Sequence, residues 1–203
     1  MMHEDAQERI LENVNKNAVT KIKTEIREML ANCITSFQQI ELDNKYEDYM
    51  INGVPLSISR RLLLIKFTYD FAFDGYKLFR MKDIRSIRCG EVEAYHDFVM
   101  REEGLFVDDG SSSNLDISSW KTVLDNFKSK EVIIDISTKD QAHSKKTFFV
   151  GLPIDIKDDF LLFKEMDVIG RWKAQNIKIP IDDITNISFG SRYLKMLFKY
   201  QRH

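Results

Sequence analysis

The stretch Gly-Val-Pro-Leu-Ser-Ile at residues 53–58 recurs further along the chain as Gly-Leu-Pro-Ile-Asp-Ile at residues 151–156. The match continues from Leu-Leu-Leu-Ile-Lys at 62–66 into Phe-Leu-Leu-Phe-Lys at 160–164. Glycines, prolines and apolar residues that return together at one spacing are the mark of a duplicated module. The chain is therefore predicted to contain two copies of one structural unit.

The strands of each unit can be placed from the same comparison. The pattern Asp-Ile-x-x-Ile-x-x-Gly at residues 83–90 returns at residues 183–190. Val54, Leu56 and Ile58 alternate with other residues, which is the periodicity of a strand with one buried face. The predicted strands span residues 37–44, 49–58, 62–69, 76–81 and 84–89 in the first copy, and 131–138, 147–156, 160–166, 176–181 and 184–189 in the second. Because closing a sheet removes its exposed edges, strands this short and closely spaced favour a closed or nearly closed barrel over an open sheet.

Helices are predicted around each set of strands. An apolar stripe at helical spacing marks a first helix over residues 5–32, and Ser118 is a candidate N-cap for a second one. Short helices are also expected at 92–102 and 192–201, and the polar stretch 108–114 is the best linker. The predicted organisation is an N-terminal amphipathic helix at 1–33, a first repeat at 34–104, a linker at 105–117, and a second repeat with its leading and trailing helices at 118–203.

A helix, five short bent strands and a tight turn before the last strand together resemble the Sm-like and SH3-like small barrels. The motif Gly-x-Pro-x-x-Ile, then Leu-Leu, then Asp-Ile-x-x-Ile-x-x-Gly also resembles that of an uncharacterised family of bacterial proteins built from such barrels in tandem. The resemblance implies a mainly β fold with flanking helices (α+β), in which two tandem five-stranded barrels are each preceded and followed by a helix.

The resemblance to Sm proteins also implies a way of binding RNA, which this sequence carries only in part. RNA-binding Sm proteins use an Asp and an Asn in the third loop together with an Arg-Gly near the last loop. Asp70 or Asp167 stands for the Asp, but no Asn follows closely. The Arg-Gly is matched only loosely, by Arg-Cys-Gly at 88–90. The fold is therefore expected to carry over, whereas the RNA pocket is not.

Composition and charge exclude several classes of protein. The chain has 203 residues, with 30 Lys and Arg against 32 Asp and Glu, and a net charge of −2 argues against a surface that binds polyanions everywhere. No apolar run approaches the ~20 residues that span a bilayer, and residues 1–17 are charged throughout rather than built like a signal peptide. Two cysteines in no close pair, Cys33 and Cys89, fit a reducing compartment. The cytoplasm is the expected location, without a membrane partner.

No pattern of residues predicts catalysis or metal binding. Nucleophile elbows, P-loops, dinucleotide fingerprints and zinc-type spacings of Cys and His are absent from the sequence. His96 is interpreted as a partly exposed helical residue, and the acidic doublets at 108–109, 158–159 and 182–183 as turn residues rather than cation ligands. The sequence therefore predicts a non-enzymatic binding or assembly protein with no catalytic residue, metal or cofactor. Its expected partner is another protein or a second copy of itself.

Aromatic residues near the third and fourth strands are the first candidates for a binding site. Phe71, Phe73 and Tyr76 in the first copy and Trp172 in the second could stack on bases or pack against a peptide. Burial in the fold is the alternative for all four. An Sm-like RNA-binding protein that uses these aromatics and a basic C-terminal helix is the rival to the binding or assembly protein.

The segments that follow the last strand of each copy carry opposite charge. Residues 91–109 contain seven acids and one base, whereas residues 191–203 contain four bases and no acid. The four bases share one helical face and are Arg192, Lys195, Lys199 and Arg202. Three interpretations are open: a solvated face, a contact with the acidic helix within the chain or across a dimer, and a strip that follows nucleic-acid phosphates.

Overall fold

The structure is a computed structural model that describes residues 23–106, 115–139 and 146–202. The helices are α1 at residues 23–36, α2 at Glu91–Glu102, α3 at Trp120–Ser129 and α4 at Arg192–Lys199. The strands are β1 (Ile40–Asn44), β2 (Ile51–Ile58), β3 (Leu62–Tyr69), β4 (Ala72–Arg80), β5 (Ile84–Arg88), β6 (Ile134–Lys139), β7 (Lys146–Ile156), β8 (Phe160–Met166), β9 (Ile177–Pro180) and β10 (Ile184–Phe189). Two short 3-10 turns, Met81–Asp83 and Ile181–Asp183, precede β5 and β10.

All ten strands belong to one antiparallel sheet, whose order is β5-β1-β2-β3-β4-β10-β6-β7-β8-β9. The first five strands and the last five therefore form two sets with the same internal order, the fifth strand lying beside the first. The two sets are joined where β4 pairs with β10, from Phe79 opposite Asn186 to Tyr76 opposite Phe189. The sheet thus continues from one set into the other without a break.

The prediction of two closed barrels is wrong, and so is the assignment to a family of tandem Sm-like or SH3-like barrels. The structure is mainly β with helices against the sheet, but it has one open sheet of ten strands. The physical reason lies in the edges of the two sets. Strand β4 satisfies its backbone groups by pairing with β10 of the other set, so it does not need to close on its own set, and β5 and β9 become the outer strands.

The Gly-x-Pro signature has the same structural role in both sets. Pro55 and Pro153 are each followed by a shift of register against the next strand. Gly53 lies so close to that strand that a Cβ atom there would meet the carbonyl oxygen of Lys66 at 2.5 Å, and Gly151 is confined in the same way. Only a residue without a side chain fits such an approach, which explains why both copies have glycine at this point.

Strand β3 is buried on both of its faces. Leu62 and Leu64 belong to a core that includes helix α3 and residues of both strand sets. Leu63 and Ile65 point to the other face, into a core that includes α1. A strand that is covered on both faces has a continuous apolar sequence rather than an alternating one. This explains the four consecutive apolar residues at 62–65.

Most of the predicted elements are confirmed. All ten strands occur near their predicted positions, although β4 begins at Ala72, earlier than expected. Ser191 caps α4 as predicted, whereas α3 is capped by Ser119 rather than Ser118. The predicted first helix is found from residue 23 onward, and its earlier part lies outside the described residues. The division of the chain into repeats and a linker stays a prediction.

Candidate functional site

Two adjoining cavities form a groove that begins on the first strand set and ends on the second. The first has a volume of about 250 Å³ and lies between β2, β3 and helix α2. The second, of about 400 Å³, lies where β4 and β10 meet. Tyr49 and Phe67 line both cavities, so we describe them as one site, the aromatic groove. Its exposed aromatic side chains are Tyr49, Tyr69, Phe71, Phe148 and Tyr193.

The turn between β3 and β4 places Phe71 at the rim of the groove. Asp70 and Phe71 connect the paired residues Tyr69 and Ala72, with φ angles of 46° and 60°. Two-residue hairpins of this kind favour Asn-Gly, because both central residues need a positive φ. A phenylalanine in this conformation is strained, and its ring lies 4.7 Å from the ring of His96 in α2. Strained residues of this kind are concentrated at functional sites.

Below the rim, a buried polar network shapes the first cavity. The Gln39 side chain accepts a hydrogen bond from the Thr68 hydroxyl at 2.8 Å and donates one to the Met100 sulfur at 3.4 Å. The backbone N–H of Gln39 donates to the Asp97 carboxylate at 3.1 Å. All four residues are buried. Because buried hydrogen bonds hold side chains firmly in place, this wall of the cavity is preformed.

Among the described residues that line the groove, acidic groups outnumber basic ones. Asp70 lines the first cavity, and Asp74 and Asp135 line the second. Lys77 on β4 is the lysine of this set, and it holds its ammonium group 4.1 Å from the centre of the Phe67 ring. Burial lowers the pKa of Lys77, although nearby carboxylates favour its charged form. The electrostatic character of the groove therefore favours a partner that carries positive charge.

Helix α2 presents apolar side chains to solvent beside the groove. Val92, Tyr95 and Phe98 are 51%, 61% and 57% exposed, while Glu93 and Asp97 of the same helix are buried. A helix on the surface of a soluble protein normally has the opposite arrangement. An outward apolar stripe next to a cavity is typical of an interaction surface.

The structure separates the binding residues predicted from the sequence. Phe71 lies in the aromatic groove. Phe73 instead lines a different cavity, of about 470 Å³, together with Arg192 and Lys195. Tyr76 contributes one edge of that cavity but is only 4% exposed and belongs to the core, so burial is the better description of this residue.

Trp172, Lys199 and Arg202 lie together in space at the C-terminal end of the described chain. Trp172 is partly buried, and its indole N–H donates to the Gln201 side chain at 2.8 Å. Lys199 and Arg202 are exposed, and the backbone N–H of Arg202 donates to the carbonyl of Gly170 at 2.7 Å. Trp172, Lys199 and Arg202 do not line the aromatic groove.

Helix α4 combines its exposed bases with large exposed side chains. Leu194 is fully buried and attaches the helix to a small core. The exposed members of α4 and its C-cap are Arg192, Tyr193, Lys195, Met196, Lys199 and Tyr200. Among the described residues, no salt bridge joins α4 to the acidic helix α2 of the same chain. The described residues therefore give no support to a charge contact between the two helices within one chain.

The described residues give little support for metal or thiol chemistry. Within them, no group of three or more His, Cys, Asp or Glu side chains could hold a metal ion. Cys33 and Cys89 are neighbours in space although they are distant in sequence, and both are free thiols. Burial, with a further contribution from Cys89, raises the pKa of Cys33 to about 12, so this thiol is a poor nucleophile near neutral pH. No helix in the described ranges is long and apolar enough to cross a membrane.

Four exposed aromatics of the groove are not found by the sequence analysis: Tyr49, Tyr69, Phe148 and Tyr193. The first three fall on or beside predicted strands and Tyr193 falls in a predicted helix, and periodicity alone does not tell which face is covered by the rest of the fold. One local signal was present. Asp-Phe at 70–71 occupies a hairpin connection where Asn-Gly is favoured. A turn sequence that is unfavourable for its conformation indicates a functional site nearby, which includes the side chains next to the turn.

The chain was compared with protein-family models, with curated proteins and with solved structures, and none of the three comparisons finds a match. The resemblance to a family of tandem barrels thus has no support from relatives either. The function has to be argued from the geometry of this chain alone.

Proposed function

We propose that this chain is a non-enzymatic binding or assembly protein that holds an extended segment of a partner protein in the aromatic groove. The observation that carries the proposal is the row of exposed aromatic side chains, from Phe71 to Tyr193, along two adjoining cavities. Contiguous exposed apolar surface is rare on proteins that act alone, and aromatic residues are enriched where proteins meet.

The groove also suggests the chemistry of the partner segment. Its first cavity has room for one large apolar side chain, which would lie against Phe71 and His96. The carboxylates of Asp70, Asp74 and Asp135 favour lysine or arginine next to that anchor. The partner is therefore a peptide segment with an apolar anchor flanked by basic residues, and the preformed wall of the first cavity lowers the entropy lost on binding.

We propose the cytoplasm as the compartment in which this binding takes place. Cys33 and Cys89 are neighbours and yet unpaired, which suits a reducing environment.

A second candidate function is binding of single-stranded nucleic acid on helix α4. One observation favours it: Tyr193 and Tyr200 are exposed beside Arg192, Lys195 and Lys199, and aromatic side chains next to bases are typical of such surfaces. Steep loss of affinity with salt, at an unchanged oligomeric state, would distinguish this function from protein binding.

A peptide selection tests the main proposal. Random peptides displayed on phage are selected on the full chain, and the enriched peptides are measured by fluorescence anisotropy. We expect an apolar residue flanked by Lys or Arg, and a loss of affinity of about tenfold or more in Tyr69→Ala and in Phe71→Ala, as for anchor contacts at an interface. Tyr200→Ala is the matched control, because Tyr200 is about as exposed as Tyr69 and does not line the groove.

Other outcomes would contradict the proposal in different ways. Enriched peptides that bind both groove variants as well as the unsubstituted chain place the binding site elsewhere. Dimers that dissociate in Phe71→Ala, without any enriched peptide, would mean that the occupant is a second copy of the chain. Peptides that lose affinity only in Tyr200→Ala would move the site to α4.

A further inference from the structure

A large cleft lies at the junction of the two strand sets and shares no residue with the aromatic groove. Its volume is about 750 Å³. Its walls are the turn between β2 and β3, the two 3-10 turns, the first turn of α3 and the turn between β7 and β8. The charged residues of this junction cleft are Arg60, Arg61, Arg80, Lys82, Lys121, Asp158 and Asp182. Bases therefore outnumber acids, the reverse of the aromatic groove.

The turn that carries Arg60 and Arg61 is held in place by two sets of hydrogen bonds. The Ser59 hydroxyl oxygen accepts from the backbone N–H of Arg61 at 3.1 Å and of Leu62 at 2.9 Å. The Arg27 guanidinium in α1 donates to the carbonyls of Ser59 and Arg60 at 3.0 Å and 2.7 Å. The two arginine side chains are therefore presented from a fixed backbone, and both are exposed.

Only part of the positive charge in the junction cleft is neutralised by the protein. Arg80 forms a buried ion pair with Asp83, and Lys121 pairs with Asp158 at 2.7 Å. The bases that form no salt bridge with any residue in the described ranges are Arg60, Arg61 and Lys82. Three unpaired bases around one concave site favour an anionic ligand.

Helix α3 begins at the wall of the cleft and adds to this preference. The Ser119 hydroxyl caps the helix by accepting from the Thr122 N–H at 3.2 Å, and a helix N-terminus carries partial positive charge. Trp120 also lines the cleft and is only 7% exposed, yet its indole N–H has no acceptor among the described residues. A buried donor without an acceptor is unfavourable, so this wall of the cleft contains a polar group that the described residues leave unsatisfied.

We propose that the junction cleft binds a ligand that carries two or more phosphate groups, one held by Arg60 and Arg61 and the next by Lys82 and the first turn of α3. Guanidinium groups match phosphate oxygens two at a time, and helix N-termini are common phosphate sites. A cleft of this volume holds a free diphosphate or a nucleoside diphosphate. The same chemistry exists along a nucleic-acid backbone, so the experiment includes both sources.

Inorganic pyrophosphate is the probe for the test, titrated into the full chain and followed by calorimetry. The fluorescence of Trp120 in a Trp172→Phe chain is a second readout that reports on the cleft itself. We expect saturable binding, and a loss of affinity of about tenfold in Arg61→Gln and in Lys82→Gln, because each variant removes one charge-assisted contact. Both side chains are exposed, so the fold is expected to persist, and circular dichroism checks this. Lys130→Gln is the matched control with the same change of charge, because Lys130 is exposed and does not line the cleft.

The outcomes are distinguishable. Absence of saturable binding at millimolar pyrophosphate, or binding that weakens in the Lys130→Gln control but not in the cleft variants, would overturn the proposal. A single-stranded RNA that pyrophosphate displaces, and that both cleft variants weaken, would support it with nucleic acid as the source of the phosphates. A nucleoside diphosphate that binds more tightly than pyrophosphate, without binding of RNA, would support it with a small ligand. A negative result with pyrophosphate does not contradict peptide binding in the groove, because the two sites share no residue.

Discussion

Helices α2 and α4 follow the last strand of the two sets, yet they bury opposite kinds of residue. Counted from the N-caps Gly90 and Ser191, the third residue is Glu93 in α2 and Leu194 in α4, and both are buried. Glu93 is held by the Arg88 guanidinium at 2.8 Å and by the N–H of Gly90 at 2.7 Å. The side chain of Leu194 is held by apolar contacts. The same position is thus fixed by hydrogen bonds in one set and by packing in the other.

The contrast recurs at other corresponding positions. Four residues further along, α2 buries Asp97 where α4 has the partly buried Phe198. Before the 3-10 turns, the first set has the buried Arg80 where the second has Pro180. On α2, Met100 is buried together with Glu93 and Asp97, while Val92, Tyr95 and Phe98 are exposed. Two strand sets with the same internal order thus hold the helix that follows them in different ways, one through buried carboxylates and the other through a buried leucine.

The largest effect is expected at Arg80. Arg80→Ala leaves the carboxylate of Asp83 buried without its partner, which we expect to lower the free energy of unfolding by about 3–5 kcal/mol. Urea denaturation measures the change. The control is Lys139→Ala, because Lys139 pairs with the corresponding Asp183 at 3.4 Å in a more exposed setting. Loss of that ion pair is expected to lower the free energy of unfolding by about 1 kcal/mol or less. Equal losses of unfolding free energy in Arg80→Ala and Lys139→Ala would show that the two sets do not differ at these ion pairs.

Packing of α4 gives the next largest effect. Leu194→Ala creates a cavity where the side chain is fully buried, and we expect a loss of about 2–4 kcal/mol in the free energy of unfolding. Met196→Ala, on the exposed side of the same helix, is expected to change stability by less than about 0.5 kcal/mol. Thermal unfolding of both variants tests the difference. If Leu194→Ala is as stable as Met196→Ala, apolar packing does not hold α4.

In α2 the corresponding test is a dependence on pH. Burial works against the charged form of Glu93, but hydrogen bonds from Arg88 and Gly90 outweigh it and lower the pKa of this carboxyl below its usual value of 4.5. A carboxylate of this kind stabilises the fold above its unfolded-state pKa, and the contribution is lost as pH falls through its folded-state pKa. We therefore expect Glu93→Gln to lose about 1–2 kcal/mol at pH 7 and progressively less as the solution is acidified below pH 4.5. A pH-independent difference in urea titrations would contradict this explanation.

The smallest effect concerns the strained turn of the groove. Phe71→Gly and Phe71→Ala both remove the ring, but only glycine adopts a φ of 60° without strain. We expect the glycine variant to be more stable than the alanine variant by about 1 kcal/mol, measured as the difference between their urea midpoints. Both variants should lose peptide binding to the same degree. A glycine variant that is no more stable than alanine would show that the turn stores no strain.

Much of the local structure follows from sequence patterns, and much of the site does not. Gly53 and Pro55 have counterparts in Gly151 and Pro153 because each copy bends its second strand in the same way, and this is visible in the sequence. The sequence predicts Phe71 at the loop between the third and fourth strands, and it lies in the turn between β3 and β4. Exposure of Tyr49, Tyr69 and Phe148 depends on which neighbouring elements cover them, and no local pattern carries that information.

Local sequence patterns are sufficient to place the ten strands, the bends at Gly-x-Pro and the opposite charge of the two final helices, because periodicity, backbone freedom and charge are properties of neighbouring residues. The joining of the two sets in one open sheet depends on the whole fold, since a strand edge is satisfied equally well by closing on its own set or by pairing with another. The junction cleft and the second cavity of the aromatic groove lie along that join and are lined by residues far apart in the chain. Both exist because β4 pairs with β10.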